Sequence, residues 1–301
     1  MKLRCRDRLF DVTRPMIMGV VNATPDSFSD GGKYASDEAR VSRALEIAEQ
    51  GADVLDIGGQ SAITGVPEIS DQEEIDRVLP VLEGIRGHTH CLISIDTYKP
   101  AVAEAALRSG ADIVNDISGV LAPDLATVAA RHGAGFVAMH TRWRPKTKYD
   151  ARGLYDDVDG GVVADVMNFL RERVDMLLAT GLTQEQLILD PGPDFAKTPA
   201  QTVEVLQALP QLVTFGRPVL LALSRKDFIG VITSRPPRER LAGTLAAVGA
   251  TTALAPSSIL RVHDVREVRE FLDVLDVLDG RTDIAPDAIL DNSLRWQNRT
   301  S

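Results

Sequence analysis

The sequence predicts an α/β fold that consists of a single (β/α)8 (TIM) barrel. Two observations support this prediction: eight short apolar runs recur along the chain, and an amphipathic helical pattern follows each of them. Eight strand–helix units in about 250 residues match a closed barrel of parallel strands. A doubly wound open sheet is the alternative, but no glycine-rich dinucleotide fingerprint follows the first strand to support it.

The predicted strands are rich in Val, Ile and Leu without strict apolar–polar alternation, which is typical of parallel strands buried on both faces. They cover residues 15–22, 52–59, 91–97, 111–116, 134–140, 187–192, 217–224 and 257–264. Each run ends in a polar or small residue, and in a barrel these ends carry the functional groups.

The segments between the strands place apolar residues at i, i+3, i+4 and i+7, which is the spacing of an amphipathic helix. The predicted helices cover residues 38–52, 71–85, 99–111, 124–134, 162–181, 201–212, 238–255 and 265–278. Gly51, Gly110 and Gly133 stand at helix ends directly before a strand, where a C′ glycine is expected.

No linker or shift in composition divides the chain, so the sequence predicts one barrel domain over residues 15–280. Residues 1–14 are predicted as an N-terminal extension and residues 281–301 as a C-terminal tail. The N-terminus lacks the continuous apolar region of a signal peptide. No run approaches the roughly 18 apolar residues of a membrane helix, and a cytoplasmic protein is therefore expected.

The charge balance excludes some classes of partner. The 301 residues include 33 basic and 43 acidic side chains, and the net charge of −10 disfavours a nucleic-acid binder or a protein of anionic membrane surfaces. A small anionic ligand stays compatible, because the local charge of a pocket can oppose the net charge. Cys5 and Cys91 have no motif spacing, which fits a reducing compartment better than a metal cluster or a disulfide framework.

Polar side chains recur at the predicted strand ends. These residues are Asn22, Asp56, Asp96, Asn115 with Asp116, Met139 with His140, Asp190, Lys226, and Arg261 with His263. Helix capping explains one or two such Asp or Asn residues. It does not explain acids or amides at five strand ends with the strong bases confined to strands seven and eight, so we interpret the set as a functional site.

The two chemical halves of this set suggest its ligand. Asp96, Asn115 and Asp190 offer acceptors and donors suited to the edge of a flat heterocycle such as a pterin. The strands on the other side supply a cationic pocket, where barrels commonly hold phosphate. Its residues are Asn22, Lys226, Arg261 and His263.

The motifs that contain these residues resemble dihydropteroate synthase over residues 15–278. They are MGVVNATPDSFSDGG (18–32), DIGGQS (56–61), SIDT (94–97), NDISG (115–119), DPGPDFAKT (190–198), SRK (224–226) and RVHDV (261–265). The resemblance implies a TIM barrel of folate biosynthesis, usually a homodimer. Such enzymes displace pyrophosphate from 6-hydroxymethyl-7,8-dihydropterin diphosphate with the amine of 4-aminobenzoate, assisted by Mg²⁺.

The resemblance also implies roles for single residues. The pterin edge would be bound by Asp96, Asn115, Asp190 and Lys226. The pterin faces would be lined by Ile117, Met139, Phe195 and the Arg261 guanidinium. The diphosphate would be held by Asn22, Arg261 and His263, with Asn22 also close to Mg²⁺; with Lys226 these form the predicted catalytic set. Segments 24–32 and 58–70 would be the mobile loops that close over the reaction.

The departures from the family pattern concentrate on the side of the second substrate. The second loop usually reads GGES(T/S)RPG, but here it reads GGQSAITG, so that Ala62 replaces a hydroxyl residue, Ile63 an arginine and Thr64 a proline. Asp194 replaces a glycine, and Asp227 replaces a small polar residue at the helix N-terminus that receives the aminobenzoate carboxylate. A like charge there costs on the order of 1 kcal/mol or more. These five residues predict an altered 4-aminobenzoate site.

Two interpretations of that site stay open. The chain is either a working synthase in which Arg142 or Arg144 compensates, or a paralogue that keeps the pterin pocket and uses another acceptor or only binds pterin. A pterin module of the corrinoid methyltransferase type ranks below both, since 301 residues leave no room for a corrinoid domain. The connection 140–160 is long and basic in its first half. It is either a surface loop or a lid over the anion site.

Overall fold

The computed structural model of the protein describes residues 1–24, 36–61, 65–147 and 150–295. The strands in these ranges are β1 (Lys2–Cys5), β2 (Arg8–Asp11), β3 (Met16–Asn22), β4 (Val54–Gly58), β5 (Leu92–Asp96), β6 (Ile113–Asp116), β7 (Gly135–Met139), β8 (Leu187–Asp190), β9 (Val219–Leu221) and β10 (Ser258–Val262). Within the same ranges, β3 to β10 are parallel neighbours that close into a barrel, with β10 paired to both β3 and β9. The predicted (β/α)8 barrel is confirmed.

Helices connect the strands and cover the outside of the barrel. Their bounds are α1 (Asp37–Glu49), α2 (Asp71–Ile85), α3 (Pro100–Arg108), α4 (Pro123–Arg131), α5 (Gly161–Ala179), α6 (Pro199–Gln207), α7 (Leu209–Val213), α8 (Asp227–Thr233), α9 (Leu241–Leu254) and α10 (Val265–Leu278). The sequence predicted α6 and α7 as one helix. Pro210 lies in the first turn of α7 and has no N–H to continue the preceding helix, so the two are separate. Helix α8 was not among the helices predicted from periodicity, because seven residues are too few to show it; the family resemblance alone placed a helix N-terminus at Asp227.

The N-terminal segment is a hairpin that the sequence patterns did not predict. Strands β1 and β2 pair in antiparallel register, and Leu3 and Cys5 are fully buried. Both belong to an apolar cluster with residues at the start of the barrel strands, such as Val54 and Leu92. The hairpin therefore closes the amino-terminal end of the barrel, and the carboxyl ends of the strands form the open end.

The far C-terminal segment has little contact with the barrel. Residues 281–295 are exposed throughout, in contrast to the buried face of α10 that precedes them. In the part of the chain that the structure describes, no helix combines the length and the apolar character needed to cross a membrane.

Candidate active site

An ion-pair cluster joins four strand ends at the open end of the barrel. Arg261 on β10 donates from Nε to Asp56 Oδ2 on β4 over 2.7 Å and from Nη2 to Asp96 Oδ2 on β5 over 2.7 Å. Asp56 is fully buried and also accepts from Ser94 Oγ at 2.6 Å and Asn115 Nδ2 at 3.1 Å. The sequence places Asp56 among the strand-end acids but gives it no role; it is the acceptor that holds Arg261 and Asn115 in place.

The opposite side of the opening is formed by the segment after β8. Asp190 Oδ1 accepts from the Gly192 N–H at 2.7 Å, and Met139 is its cross-strand neighbour on β7. Lys226 Nζ lies 4.5 Å from the centre of the Phe195 ring, which is within the range of a cation–π interaction. The structure thus brings together the predicted pterin residues of strands β7, β8 and β9.

Burial sets the protonation of the two pterin-edge acids. Desolvation raises the pKa of Asp96 to about 7, although the Arg261 guanidinium opposes the shift. Burial also raises the pKa of Asp190 to about 6 against the Gly192 N–H and the ammonium of Lys226. Both carboxyl groups therefore titrate close to neutral pH, where small changes in their surroundings alter their charge.

His263 lies beside this cluster in a neutral form. Its Nδ1 is 3.0 Å from Ser224 Oγ, and burial, followed by the charges of Arg261 and Arg225, lowers its pKa to about 4. We expected His263 to be one of the cations of the anion pocket, which is wrong at neutral pH because its buried surroundings disfavour the imidazolium. It offers a neutral imidazole, and Asn22 offers an amide at the end of β3.

A cavity adjoins the pterin residues on the β5 and β6 side. Asp96 and Ile117 contribute to its wall, which places Ile117 beside the acid that it was predicted to accompany. The rest of the wall is formed by Gln60, Ser61, Glu74, Thr97, Tyr98, Pro145 and Lys146. The second loop and the connection after β7 therefore both border the predicted pterin site.

The comparisons with known proteins agree with this geometry. A model of the family described as "Pterin binding enzyme" matches residues 18–263. The dihydropteroate synthase of Synechocystis sp. is 41% identical over 257 residues, which cover 84% of this chain and 86% of that protein. The chain belongs to the dihydropteroate synthase family. The Escherichia coli dihydropteroate synthase is 38% identical over 88% of this chain and 92% of its own length.

Solved structures of the family have the same fold. The dihydropteroate synthase of Xanthomonas albilineans in complex with 7,8-dihydropteroate is 39% identical, with a TM-score of 0.81 over 93% of this chain and 99% of that chain. The Yersinia pestis dihydropteroate synthase with a sulfonamide drug is 33% identical, with a TM-score of 0.85 over 94% and 100% of the two chains. These relatives favour a transferase of folate synthesis, and none of them supports the alternative acceptor.

The two acids that depart from the dihydropteroate synthase pattern contact each other. Asp194 has a left-handed backbone with φ of +61°, as expected where the family has glycine. Its Oδ2 accepts from the Asp227 N–H at 2.6 Å and its Oδ1 accepts from Thr202 Oγ1 at 3.1 Å. The side chain of Asp227 instead pairs with Arg240 Nη1 at 2.9 Å.

This arrangement differs from the one expected from the sequence. We expected the Asp227 carboxylate to lie at the N-terminus of the following helix, where the resemblance places the aminobenzoate carboxylate. Asp194 accepts from the first N–H of that helix, because its left-handed backbone turns its side chain toward α8. The remaining predicted residues of the altered site lie outside the described residues: Ala62, Ile63 and Thr64. Residues 25–32 of the first family loop (24–32) lie outside them as well.

The connection after β7 contacts the second family loop. The Lys146 ammonium donates to the Ser61 carbonyl, and the Gly65 N–H donates to the Lys146 carbonyl at 3.1 Å. Arg142 points the other way, with Nε 2.9 Å from Asp165 Oδ2 on α5. The hypothesis that Arg142 replaces the missing loop arginine is therefore wrong, since its guanidinium is bound to α5.

Proposed function

We propose that this chain condenses 6-hydroxymethyl-7,8-dihydropterin diphosphate with 4-aminobenzoate and releases pyrophosphate. The observation that carries the proposal is the cluster of Arg261, Asp56, Asp96 and Asn115 opposite Asp190. The membership of the dihydropteroate synthase family supports it, as does the 7,8-dihydropteroate bound to the Xanthomonas albilineans relative.

The hydrogen bonds within the site favour a donor-rich ring edge. Arg261 engages Oδ2 of Asp96, and the Gly192 N–H engages Oδ1 of Asp190. Because Asn115 donates its Nδ2 to Asp56, its amide is oriented with Oδ1 as an acceptor. A pterin that presents its amino group and ring N–H would thus meet one further acceptor oxygen from each of Asp96, Asn115 and Asp190.

The same pocket supports departure of the diphosphate. The amine nitrogen would form a bond to the pterin methylene carbon as the carbon–oxygen bond breaks and pyrophosphate leaves with the electron pair. The amine proton would then be lost. Positive charge develops on the methylene, and fixed dipoles and charges in a buried pocket stabilise such charge better than water does. Lys226 and the neutral imidazole of His263 would donate to the diphosphate oxygens.

The donors near the anion pocket fit Mg²⁺ that is held mainly by the substrate. Mg²⁺ commonly uses one or two protein oxygens together with substrate phosphates. Asn22 offers an amide oxygen, and the described residues contain no group of three or more His, Cys, Asp or Glu side chains placed to hold a metal. We propose that Asn22 and the diphosphate share the ion. When bound, the ion would neutralise charge on the leaving group.

The decisive experiment is a pyrophosphate-release assay with purified protein and the pterin diphosphate. Release is expected only when both 4-aminobenzoate and Mg²⁺ are present, since the amine must accept the pterin methylene. Reactions without protein and without the pterin give the background. Release that is absent, or that proceeds equally without 4-aminobenzoate, would overturn the proposed function.

A homodimer through the last helices is part of the proposal. Val274 and Leu278 stand one turn apart on α10, and their exposed fractions are 60% and 78%. Val231 and Ile232 on α8 are similarly exposed. Both helices contact α9. Exposed apolar side chains grouped on a helix mark an interaction surface, and a second copy of the chain is the partner that the family resemblance implies.

Replacing Val274 and Leu278 together by Glu is expected to convert the dimer to a monomer, because two carboxylates per subunit would be buried at the contact. Sedimentation velocity measures the change directly. Leu121→Glu is the matched control, since Leu121 is half exposed between β6 and α4. A monomeric wild-type protein, or a double variant that still sediments as a dimer, would refute this surface.

We also propose a cytoplasmic location. Cys5 and Cys91 are both free thiols, which suits the reducing cytosol.

A further inference from the structure

Lys197 is a buried lysine directly beneath the segment that carries Asp190 and Phe195. Its exposed fraction is 4%. Among the described residues, its Nζ contacts three acceptors: His140 Nδ1 at 2.8 Å, the Gly192 carbonyl at 3.0 Å and the Phe195 carbonyl at 3.1 Å. The pterin hypothesis gave this lysine no role, although it is part of the DPGPDFAKT motif.

The neighbours of His140 fix the direction of these hydrogen bonds. His140 Nε2 is 2.9 Å from Asp165 Oδ2, and Arg142 together with His140 holds the pKa of Asp165 well below its usual range. Since Asp165 is a carboxylate, Nε2 carries the hydrogen of His140 and Nδ1 is the acceptor. Lys197 therefore donates to all three contacts, and only an ammonium has three N–H donors.

The two carbonyls bound by Lys197 belong to the residues that shape the pterin side of the site. Gly192 donates its N–H to Asp190, and the Phe195 ring faces Lys226. Directly after Phe195, Ala196 has a left-handed backbone with φ of +52°, which costs a residue with a side chain about 1–2 kcal/mol. Tyr155 Oη also donates to the Ala196 carbonyl at 2.9 Å. The hydrogen bonds from Lys197 and Tyr155 hold the segment in this conformation.

We propose that Lys197, oriented by His140 and Asp165, is a positioning residue that holds Asp190 and Phe195 in the geometry that binds the pterin. The proposal rests on the proposed function. It adds three hydrogen-bonded residues that connect α5 to the segment after β8: Asp165 on α5, His140 directly after β7, and Lys197. It also gives a role to the connection 140–160, because Arg142 attaches that connection to Asp165 and Tyr155 attaches it to Ala196.

The arrangement predicts how pterin binding depends on pH. Burial lowers the pKa of Lys197 to about 7, and the nearby ammonium of Lys226 lowers it as well. The carboxylates of Asp190, Asp165 and Asp194 oppose this shift. As the pH rises through 7, Lys197 loses a proton and one of its three donors, so the pterin affinity falls. The acids Asp96 and Asp190 act in the opposite direction, because their ionised forms are the better acceptors.

The test compares Lys197→Met, which keeps the length of the side chain without donors, with Lys197→Arg, which stays charged at all accessible pH values. The dissociation constant of the pterin diphosphate is measured by direct titration at pH 6 and pH 8.5. Lys197→Met is expected to raise it on the order of tenfold at pH 6, as for the loss of one charged hydrogen bond. The Michaelis constant for the aminobenzoate substrate is expected to stay within about twofold of wild type. Lys197→Arg is expected to bind the pterin more tightly than Lys197→Met at pH 8.5.

The positioning role is overturned if the Lys197→Met protein binds the pterin as tightly as wild type does. It is also overturned if the dissociation constant of the pterin and the Michaelis constant for the aminobenzoate substrate rise by the same factor. Asp165→Asn provides the second variant if Lys197→Met fails to fold, as judged by its thermal melting. It removes the carboxylate charge that keeps the hydrogen of His140 on Nε2 while leaving Lys197 in place, and unchanged pterin binding in it likewise overturns the proposal. Failure of the proposed function is distinct, because it appears in the wild type itself as absent pterin binding or pyrophosphate release.

Discussion

Replacement of Asp190 by Asn is expected to lower kcat/KM for the pterin diphosphate on the order of 100-fold. The carboxylate accepts from the Gly192 N–H with one oxygen and would accept from the pterin edge with the other. An amide that turns its NH2 toward a ring N–H leaves two donors facing each other. The loss of a hydrogen bond to a charged group together with an unpaired buried donor amounts to about 3 kcal/mol.

The same substitution is expected to leave the protein at least as stable as wild type at pH 8. Burial raises the pKa of Asp190 from 3.8 to about 6, so the folded state binds this proton more tightly than the unfolded state does. The contribution of the group to stability is complete below pH 4 and is lost as the pH rises through 6. Asn carries no such ionisation cost, and the stability of the variant relative to wild type therefore increases over this pH window.

Steady-state kinetics measure the expected loss in kcat/KM of Asp190→Asn, and thermal unfolding at pH 4, 6 and 8 measures its stability relative to wild type. Asp116→Asn is the matched control, because Asp116 is a buried strand-end acid that accepts from the backbone N–H groups of Ser118 and Val120. It is expected to lose stability and to keep the wild-type Michaelis constant for the pterin. An Asp190→Asn enzyme with wild-type kcat/KM would contradict the assigned role.

Replacement of Arg261 by Met is expected to remove activity and to destabilise the fold by about 3–5 kcal/mol, the cost of leaving a buried charge without its partner. The guanidinium is the shared partner of Asp56 and Asp96 at 2.7 Å each. Because Arg261 opposes the upward shift of the Asp96 pKa, its removal raises that pKa further. The destabilisation should therefore grow as the pH rises through 7 and Asp96 is forced to ionise.

Denaturant unfolding at pH 6 and pH 8.5 measures this difference. Adding Asp56→Asn to the Arg261→Met variant should recover part of the stability without recovering activity, since it removes one uncompensated acid but restores no cation. Arg269→Met is the control: Arg269 pairs with Asp53 at 2.7 Å before β4, at the closed end of the barrel. A similar loss of activity in Arg269→Met would show that the effect of Arg261 is only structural.

The fold was predictable because its signals are local. The eight apolar runs correspond to β3 to β10, and Gly51, Gly110 and Gly133 all have the positive φ values of helix-ending glycines. The hairpin β1–β2 was missed, since each strand has only four residues and only β1 alternates charged with apolar ones. Its burial depends on the barrel interior that it covers, which no local pattern reveals.

The candidate site was predictable as a set of residues but not as a set of contacts. The closed barrel brings strand ends together, so the sequence determined that Asp96, Asn115, Asp190, Lys226 and Arg261 share one opening. The tertiary structure decided which groups pair. Arg261 meets Asp56 across 205 positions of the chain, and Asp194 rather than the side chain of Asp227 takes the first N–H of α8.

The sequence by itself thus determined the barrel, the family and the polar residues at its open end. Only the tertiary structure decided the charge state of His263, the pairing of Arg261 and the buried chain from Asp165 to Lys197. The physical reason is that helical and strand periodicity arise within a few residues. Desolvation and Coulomb interactions depend instead on which distant segments exclude water around each group.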